Sequence, residues 1–305
     1  MADCRYAPNP PYICIMSAMK TPKRMQPLIE DGMVDEVISQ LMSGKEAQVY
    51  VVRCGDAIRC AKVYKEANKR SFKQAVLYQE GRSVRNSRRA RAMAKGTRYG
   101  KEEREDAWLS AEVEALYRLA GAGVRVPTPY AFDHGVLIME MVADADGHAA
   151  PRLNDVVLSE SEARDYHGRV IADVVRMLCA GLVHGDLSEF NILVDSSGPV
   201  IIDLPQAVNA AGNNSAKMML ARDVANMRDY FGRTAPELLS TDYANEMWAL
   251  FEKGNLKPDS PLTGEFVHRT DLADIDSIMQ IIDAAREEEH ERRAREREMN
   301  GEMES

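Results

Sequence analysis

The stretch His184–Gln206, HGDLSEFNILVDSSGPVIIDLPQ, constrains the fold of this chain more than any other part of the sequence. Its segments NILV and PVIID predict two short strands that are joined by a turn at residues 195–198. Pairing of these strands would bring Asp203, at the end of the second strand, back beside the loop that begins at Asp186. Together with Asn191, three oxygen-bearing side chains would then converge.

These three side chains suit the chemistry of magnesium and phosphate. Carboxylate and amide oxygens are hard ligands for Mg²⁺, which is usually shared with substrate phosphates. An Asp that does not bind the metal can accept a proton from an attacking hydroxyl, so the set predicts phosphoryl transfer. Taken alone, an Asp and an Asn five positions apart are also compatible with a capped loop.

A lysine within a predicted apolar strand supplies a cation for phosphates. The segment AQVYVVRCGDAIRCAKVYK predicts a hairpin that turns at residues 54–56, with Lys62 in its second strand. A buried Lys is rare unless a partner or ligand offsets its desolvation, although Lys62 could also extend to solvent from an edge strand. Glu112 on the next predicted helix is the preferred partner. Glu114 competes for this role, and Glu112 could instead be a surface residue paired with Arg118.

Two further segments predict contacts to a nucleotide. SGKEAQVY forms a glycine-containing turn, where Lys45 and backbone N–H groups are available to phosphate. Before this turn, Val34, Val37, Ile38 and Leu41 recur at helical spacing, which predicts a short helix over residues 33–41. LIMEMV ends a second predicted strand pair, where backbone groups of Glu140 and Val142 could meet the edge of an adenine.

The order of the predicted elements indicates two lobes. Residues 1–29 are an irregular N-terminal extension, and residues 30–142 form a strand-rich N-lobe with a basic, flexible insertion at about residues 65–104. A helical C-lobe over residues 143–285 and a charged tail over residues 286–305 follow. A strand-rich part that precedes a helix-rich part predicts an α+β fold with a cleft between its two lobes.

Composition narrows the class of protein. The chain has 305 residues, 45% of them hydrophobic, which is enough for a sizeable core. No apolar run approaches the roughly 20 residues that cross a bilayer, and the first residues do not resemble a secretion signal. Five cysteines without C-x-x-C spacing argue against a disulfide framework and a zinc site. We therefore expect a soluble cytoplasmic protein without a membrane partner.

The basic insertion is part of a chain that is acidic as a whole, with a net charge of -9. Such a segment could attract phosphate, RNA, a ribosomal particle or an acidic partner, or it could be a solvated loop.

The motifs SGKEAQVY, CAKVYK, HGDLSEFN and IIDLPQAV, in this order, resemble the RIO family of atypical serine/threonine protein kinases, and in particular its RIO-one branch. The likeness covers about residues 30–235, including PRLNDVVLSESEAR and RDVANMRDYF, and HGDLSEFN is its most specific motif. It implies a protein-kinase-like α+β fold with an ATP cleft between a strand-rich N-lobe and a helical C-lobe. It also implies transfer of the ATP γ-phosphate to serine, with autophosphorylation. The protein substrate is not evident from the sequence.

The resemblance assigns a role to each matching residue. Asp186 is the catalytic base, while Asn191 and Asp203 bind Mg²⁺ or Mn²⁺. Lys62 contacts the ATP phosphates and pairs with Glu112, whereas Glu140 and Val142 form the hinge that holds the adenine. The remaining nucleotide-binding residues belong to the phosphate loop and the strand after it: Ser43, Gly44, Lys45, Glu46, Ala47 and Val49. In this family Asp203 can also accept the phosphoryl group, and some members act mainly as ATPases in the maturation of ribosomal subunits.

Two departures from ordinary protein kinases are shared with this family: the G-x-G-x-x-G loop is absent, and IIDLPQ replaces D-F-G. Two alternatives remain. One is a small-molecule phosphotransferase of the aminoglycoside-kinase type, which shares the HGDL…N…D pattern. The other is a binding module in which the nucleotide state controls docking of the basic insertion on RNA or a ribosomal particle.

Overall fold

The computed structural model describes residues 21–44, 47–65 and 112–266. Lys45 and Glu46 of the predicted phosphate loop lie outside the described residues. The same holds for most of the predicted basic insertion and for all of the charged tail. The elements below belong to one compact unit of the chain.

The N-terminal part of this unit is a five-stranded antiparallel sheet with the strand order β1-β2-β3-β5-β4. Its strands are β1 (Glu36–Ser43), β2 (Ala47–Cys54), β3 (Ala57–Tyr64), β4 (Pro129–Asp133) and β5 (Val136–Glu140). The predicted β2–β3 hairpin is present, and Gly55 in its turn has a φ of 61°, which glycine adopts at little cost. A short helix, α1 (Gln26–Glu30), packs Leu28 against the apolar face of this sheet.

The predicted helix over residues 33–41 is wrong, because residues 36–43 form the edge strand β1. This strand pairs with β2 and has two register irregularities. Ile38 and Leu41 are 41% and 42% exposed, so they do not form the buried face of a helix. The edge of β2 offers a row of backbone hydrogen bonds, and pairing with this next strand of the chain overrides the helical spacing.

Four longer helices complete the described unit. They are α2 (residues 112–121), α3 (Glu160–Cys179), α4 (Ala216–Gly232) and α5 (Tyr243–Glu252). Helix α3 begins with the predicted capping box, since Ser159 Oγ accepts from the Glu162 N–H and Glu162 Oε2 accepts from the Ser159 N–H at 2.8 Å. A continuous buried cluster joins α2 to the three later helices. The α+β fold with a strand-rich N-lobe and a helical C-lobe is therefore confirmed.

Two small antiparallel strand pairs lie between α3 and α4. Strand β6 (Leu182–Val183) pairs with β9 (Val208–Asn209), and β7 (Ile192–Asp195) pairs with β8 (Gly198–Ile201). The β7–β8 pair is the hairpin that the sequence predicted. It places the loop between β6 and β7 beside the chain that leaves β8. Within the described ranges, no helix is long and apolar enough to cross a membrane.

Candidate active site

Lys62 is held between two carboxylates that come from distant parts of the sequence. Its Nζ lies 2.6 Å from Glu112 Oε1 and 3.1 Å from Asp203 Oδ1. The side chain of Lys62 is 14% exposed and that of Glu112 is 5% exposed. Glu114 and Arg118 are exposed, so Glu112 is the partner that α2 presents to β3. Burial by itself would lower the pKa of Lys62, but the charges of Glu112 and Asp203 raise this pKa well above its usual range.

Asp203 stands two residues beyond β8 with a left-handed backbone, at a φ of 66°. This conformation is uncommon for a residue that is not glycine. Burial acts to raise the pKa of Asp203, but the charge and hydrogen bond of Lys62 outweigh it and lower this pKa below its ordinary value. The carboxylate is 49% exposed and ionised, so it is accessible to a ligand.

Asp186 and Asn191 lie in the loop between β6 and β7. Asn191 Nδ2 donates to the Asp186 carbonyl at 2.8 Å, which orients the amide of Asn191 and leaves its oxygen for another partner. The Ile202 N–H donates to the Asn191 carbonyl at 2.9 Å, so the chain that carries Asp203 runs beside this loop. Desolvation raises the pKa of the exposed Asp186 carboxyl, and the negative charge of Asp203 adds to this effect.

His184 connects the two halves of the site. Its Nδ1 accepts a hydrogen bond from the Asp186 N–H at 3.3 Å, and its Nε2 lies 3.1 Å from the Ile202 carbonyl. Because Nδ1 is an acceptor, the proton resides on Nε2 and is donated to Ile202. The buried ring therefore fixes the distance between the loop of Asp186 and the chain that leads to Asp203.

Helix α4 supports the same loop through residues to which the sequence analysis assigned no role. The buried carboxylate of Asp223 accepts from the Gly185 N–H at 2.8 Å and from the Leu187 N–H at 3.0 Å. Asn226 Nδ2 donates to the Leu187 carbonyl at 2.9 Å, and the Arg222 guanidinium donates to the Gly185 carbonyl. The signal for Asp223 was present, because a carboxylate stands on the apolar face of a predicted helix.

The phosphate loop is partly described. The Gly44 N–H donates to the Ala47 carbonyl at 2.9 Å and closes a tight turn between β1 and β2. Lys65 Nζ donates to the Gly44 carbonyl, a contact that the sequence analysis missed. Ser43 pairs with Gln48 in the ladder, and Val49 is buried opposite Lys62 in the β2–β3 register. Ala47, where β2 begins, therefore lies two residue pairs along the β2–β3 ladder from Lys62.

The predicted hinge residues have distinct surroundings. The Glu140 carboxylate is engaged within the protein, because it binds Arg125 at 3.0 and 2.9 Å and accepts from the Thr128 N–H. In the backbone, the Glu140 N–H donates to the Thr128 carbonyl at 2.8 Å, and the Val142 carbonyl accepts from Ala150 at 3.0 Å. Among the described residues, the Val142 N–H donates to no backbone carbonyl.

The fold and this geometry define a protein-kinase-like phosphotransferase. A lysine of the sheet is paired with a helix carboxylate, and a loop with an Asp and an Asn lies beside a second Asp. The RIO domain family model matches residues 48–244, and the chain belongs to this family of atypical serine/threonine kinases.

Curated relatives agree with this assignment. The chain is 36% identical over 208 residues to the RIO-type serine/threonine-protein kinase Rio1 of Haloferax volcanii, an alignment that covers 68% of this chain and 67% of the relative. It is 34% identical over 208 residues to the serine/threonine-protein kinase RIO1 of Homo sapiens, covering 68% of this chain but only 35% of the human protein. A solved kinase domain aligns at 14% identity with a TM-score of 0.42, over 78% of this chain and 67% of the other.

Proposed function

We propose that this protein binds ATP with a divalent cation in the cleft beside Lys62 and transfers the γ-phosphate to a serine or threonine hydroxyl. The observation that carries the proposal is the position of Lys62, 2.6 Å from Glu112 and 3.1 Å from Asp203. This arrangement gives an ammonium group with a fixed direction at the edge of the loop that holds Asp186 and Asn191. A cation in this place is suited to contact the α- and β-phosphates.

The divalent cation would be held by Asp203 and Asn191. A half-exposed ionised carboxylate and an amide oxygen form the hard donor set that suits Mg²⁺, with Mn²⁺ as a substitute. When bound, the cation would neutralise charge on the phosphates. Lys62 keeps Asp203 ionised, and the bond from Asn191 to the Asp186 carbonyl holds the amide in place.

Asp186 is the proposed catalytic base. Its raised pKa brings the carboxylate closer to the basicity that proton acceptance requires. In the proposed reaction the acceptor hydroxyl oxygen bonds to the γ-phosphorus, the bond from that phosphorus to the β–γ bridging oxygen breaks, and ADP leaves. The hydroxyl proton passes to Asp186.

The adenine and the phosphate chain would contact backbone groups. We propose that the Glu140 carbonyl and the Val142 N–H meet the adenine edge, since both lie where β5 ends and the Val142 N–H has no backbone partner within the described chain. The proposed phosphate contacts come from the loop and strand start: Ser43, Gly44, Lys45, Glu46, Ala47 and Val49. The cytoplasm, where ATP is available, is the proposed location of the reaction.

In an alternative to transfer to a hydroxyl, Asp203 itself would accept the γ-phosphoryl group and form an aspartyl-phosphate. Asp203 is 49% exposed, and its pKa is lowered, so its oxygen is available as a nucleophile. Attack of this oxygen on the γ-phosphorus would release ADP, and hydrolysis of the acyl phosphate would complete an ATPase cycle.

Labelling with γ-labelled ATP and Mg²⁺ separates these outcomes. We expect acid-stable label on serine or threonine in the wild type, and about a 10²- to 10⁴-fold lower rate in Asp186→Ala, because a general base is removed. Asp165→Ala is the matched control, since Asp165 is exposed on α3 and pairs with Arg169. Hydroxylamine-labile label that disappears in Asp203→Ala would identify the aspartyl-phosphate route. Equal labelling of the wild type and Asp186→Ala would contradict the proposed base.

The basic insertion over residues 65–104 gives a separate hypothesis, that RNA or a ribosomal particle is a partner. Its charge supports this hypothesis, and a salt-dependent affinity for RNA that is lost on neutralising four arginines would test it: Arg85, Arg88, Arg89 and Arg91. Absence of RNA binding at low salt would reject it.

A further inference from the structure

Arg152 reaches across the cleft from the side of the catalytic loop. Its backbone is fixed on β7, because the Val194 N–H donates to the Pro151 carbonyl at 2.9 Å and Arg152 forms a β-bridge with Leu193. Its side chain extends to the opposite wall, where Nη2 lies 3.4 Å from Met42 Sδ on β1. Met42 directly precedes Ser43 and Gly44, so the guanidinium stands beside the strand that leads into the phosphate loop.

The guanidinium retains most of its hydrogen-bonding capacity. In the part of the chain that the structure describes, no carboxylate forms an ion pair with Arg152, and the thioether of Met42 is a weak acceptor. The positive charge of Arg152 is nevertheless felt at Asp203, where it helps to lower the pKa after the larger effect of Lys62. Arg152 therefore lies near Asp203, the proposed ligand of the divalent cation, but does not form an ion pair with this carboxylate.

The carboxylates of the site would repel a polyphosphate, so an additional cation in the cleft would favour its binding. Three carboxylates, those of Glu112, Asp186 and Asp203, belong to the site, and Lys62 already contacts Glu112 and Asp203. Lys62 and the proposed divalent cation together carry no more positive charge than these three carboxylates carry negative charge, so the charge of a polyphosphate would remain unbalanced. A guanidinium with free donors on the opposite wall would offset this repulsion, and its planar fork matches phosphate oxygens.

We propose that Arg152 is a second phosphate-binding residue, which holds the phosphate chain of the nucleotide from the C-lobe side of the cleft. This inference rests on the proposed ATP site and deepens it, because it adds a cation outside the motifs that define the site. Arg152 positions the phosphates between β1 and Asp203, while Lys62 binds them from the sheet. In the proposed complex, the phosphate chain would bind next to the present contact between the Arg152 guanidinium and Met42.

Calorimetric binding of ATP and of adenosine, both with Mg²⁺, tests the proposal. Arg152→Gln removes the charge and keeps much of the side-chain length, and Arg152→Lys keeps the charge without the planar fork. We expect Arg152→Gln to weaken ATP binding by about tenfold or more, while adenosine binding changes by less than about twofold, because a charge-assisted hydrogen bond is lost only with phosphates. Arg152→Lys should fall between the wild type and Arg152→Gln.

Arg53→Gln is the matched control, since Arg53 is an exposed arginine of β2 that pairs with Glu36. It should bind both ligands like the wild type. Unchanged ATP binding in Arg152→Gln would overturn the proposal, and so would an equal loss of ATP and adenosine binding, which would assign Arg152 to the shape of the cleft. A wild-type protein that does not bind ATP would instead reject the ATP site itself, and the role of Arg152 with it. Thermal unfolding of each variant shows that the fold is retained.

Discussion

At the scale of single residues, Lys62 and Glu112 depend on each other. Lys62→Met would leave the Glu112 carboxylate, 5% exposed, without the ammonium group 2.6 Å away. Breaking a buried pair by removing one partner typically costs about 3–5 kcal/mol. We expect a loss of that order in the free energy of unfolding, measured by urea denaturation, together with loss of ATP binding.

The double variant Lys62→Met/Glu112→Leu separates charge from packing. Replacing both members of a buried ion pair with apolar side chains is often neutral or stabilising, so the double variant should recover most of the lost stability. It should still fail to bind ATP, because the cation is missing. A double variant that is as unstable as Lys62→Met would show that the loss arises from packing around residue 62.

At the scale of elements, α4 supports the loop that carries Asp186, the proposed catalytic base. Asp223 is buried and accepts the Gly185 and Leu187 N–H groups at 2.8 and 3.0 Å. Asp223→Ala would leave both N–H groups without this acceptor and release the loop that carries Asp186. Since hydrogen bonds to charged groups are worth about 1.5–3 kcal/mol each, we expect kcat of autophosphorylation to fall about 10²-fold or more. The Kd for ATP should change much less, because Lys62 and the proposed hinge are untouched.

Asp229→Ala is the control within the same helix, since Asp229 is exposed and contacts Arg228. Asp223→Asn, which retains an acceptor oxygen, should recover part of the activity. If Asp223→Ala remains folded and keeps its kcat, α4 does not position the catalytic loop.

Elements with a clear local pattern were predictable from the sequence, whereas elements with an interrupted pattern and contacts between distant residues were not. The β7–β8 hairpin and the capping box at Ser159 follow from adjacent residues, and both are present. Strand β1 was missed although its partner β2 follows directly in the chain, because two register irregularities interrupt the alternation that identifies a strand. The ion pair of the Glu140 carboxylate could not be predicted from the sequence either. Its partner, Arg125, also contacts Asp195 at 2.6 Å and so connects the end of β5 to the β7–β8 hairpin.

At the scale of the whole molecule, the stability of the fold should depend on a histidine far from the chemistry. His167 of α3 is 2% exposed and packs against Phe231 and Tyr243, with ring centroids 5.7 Å from each. Burial lowers the pKa of His167 to about 4. An unfolded chain binds this proton near the ordinary histidine pKa of about 6.5, so between these values the unfolded state carries a proton that the folded state lacks. Stability should therefore fall as the pH decreases from about 6.5 to 4.

The variant His167→Leu removes this titration, and urea unfolding at pH 7 and pH 5 measures its effect. The wild type should lose about 2 kcal/mol more than His167→Leu between the two pH values, from the pKa of about 4 in the folded state and about 6.5 in the unfolded state. Carboxylates with shifted pKa values, such as Asp223, are common to both proteins and cancel in this difference. The control His148→Leu, at a side chain that is 69% exposed, should follow the wild type. If the free energy of unfolding falls equally in the wild type and in His167→Leu, a group other than His167 causes the loss of stability at acidic pH.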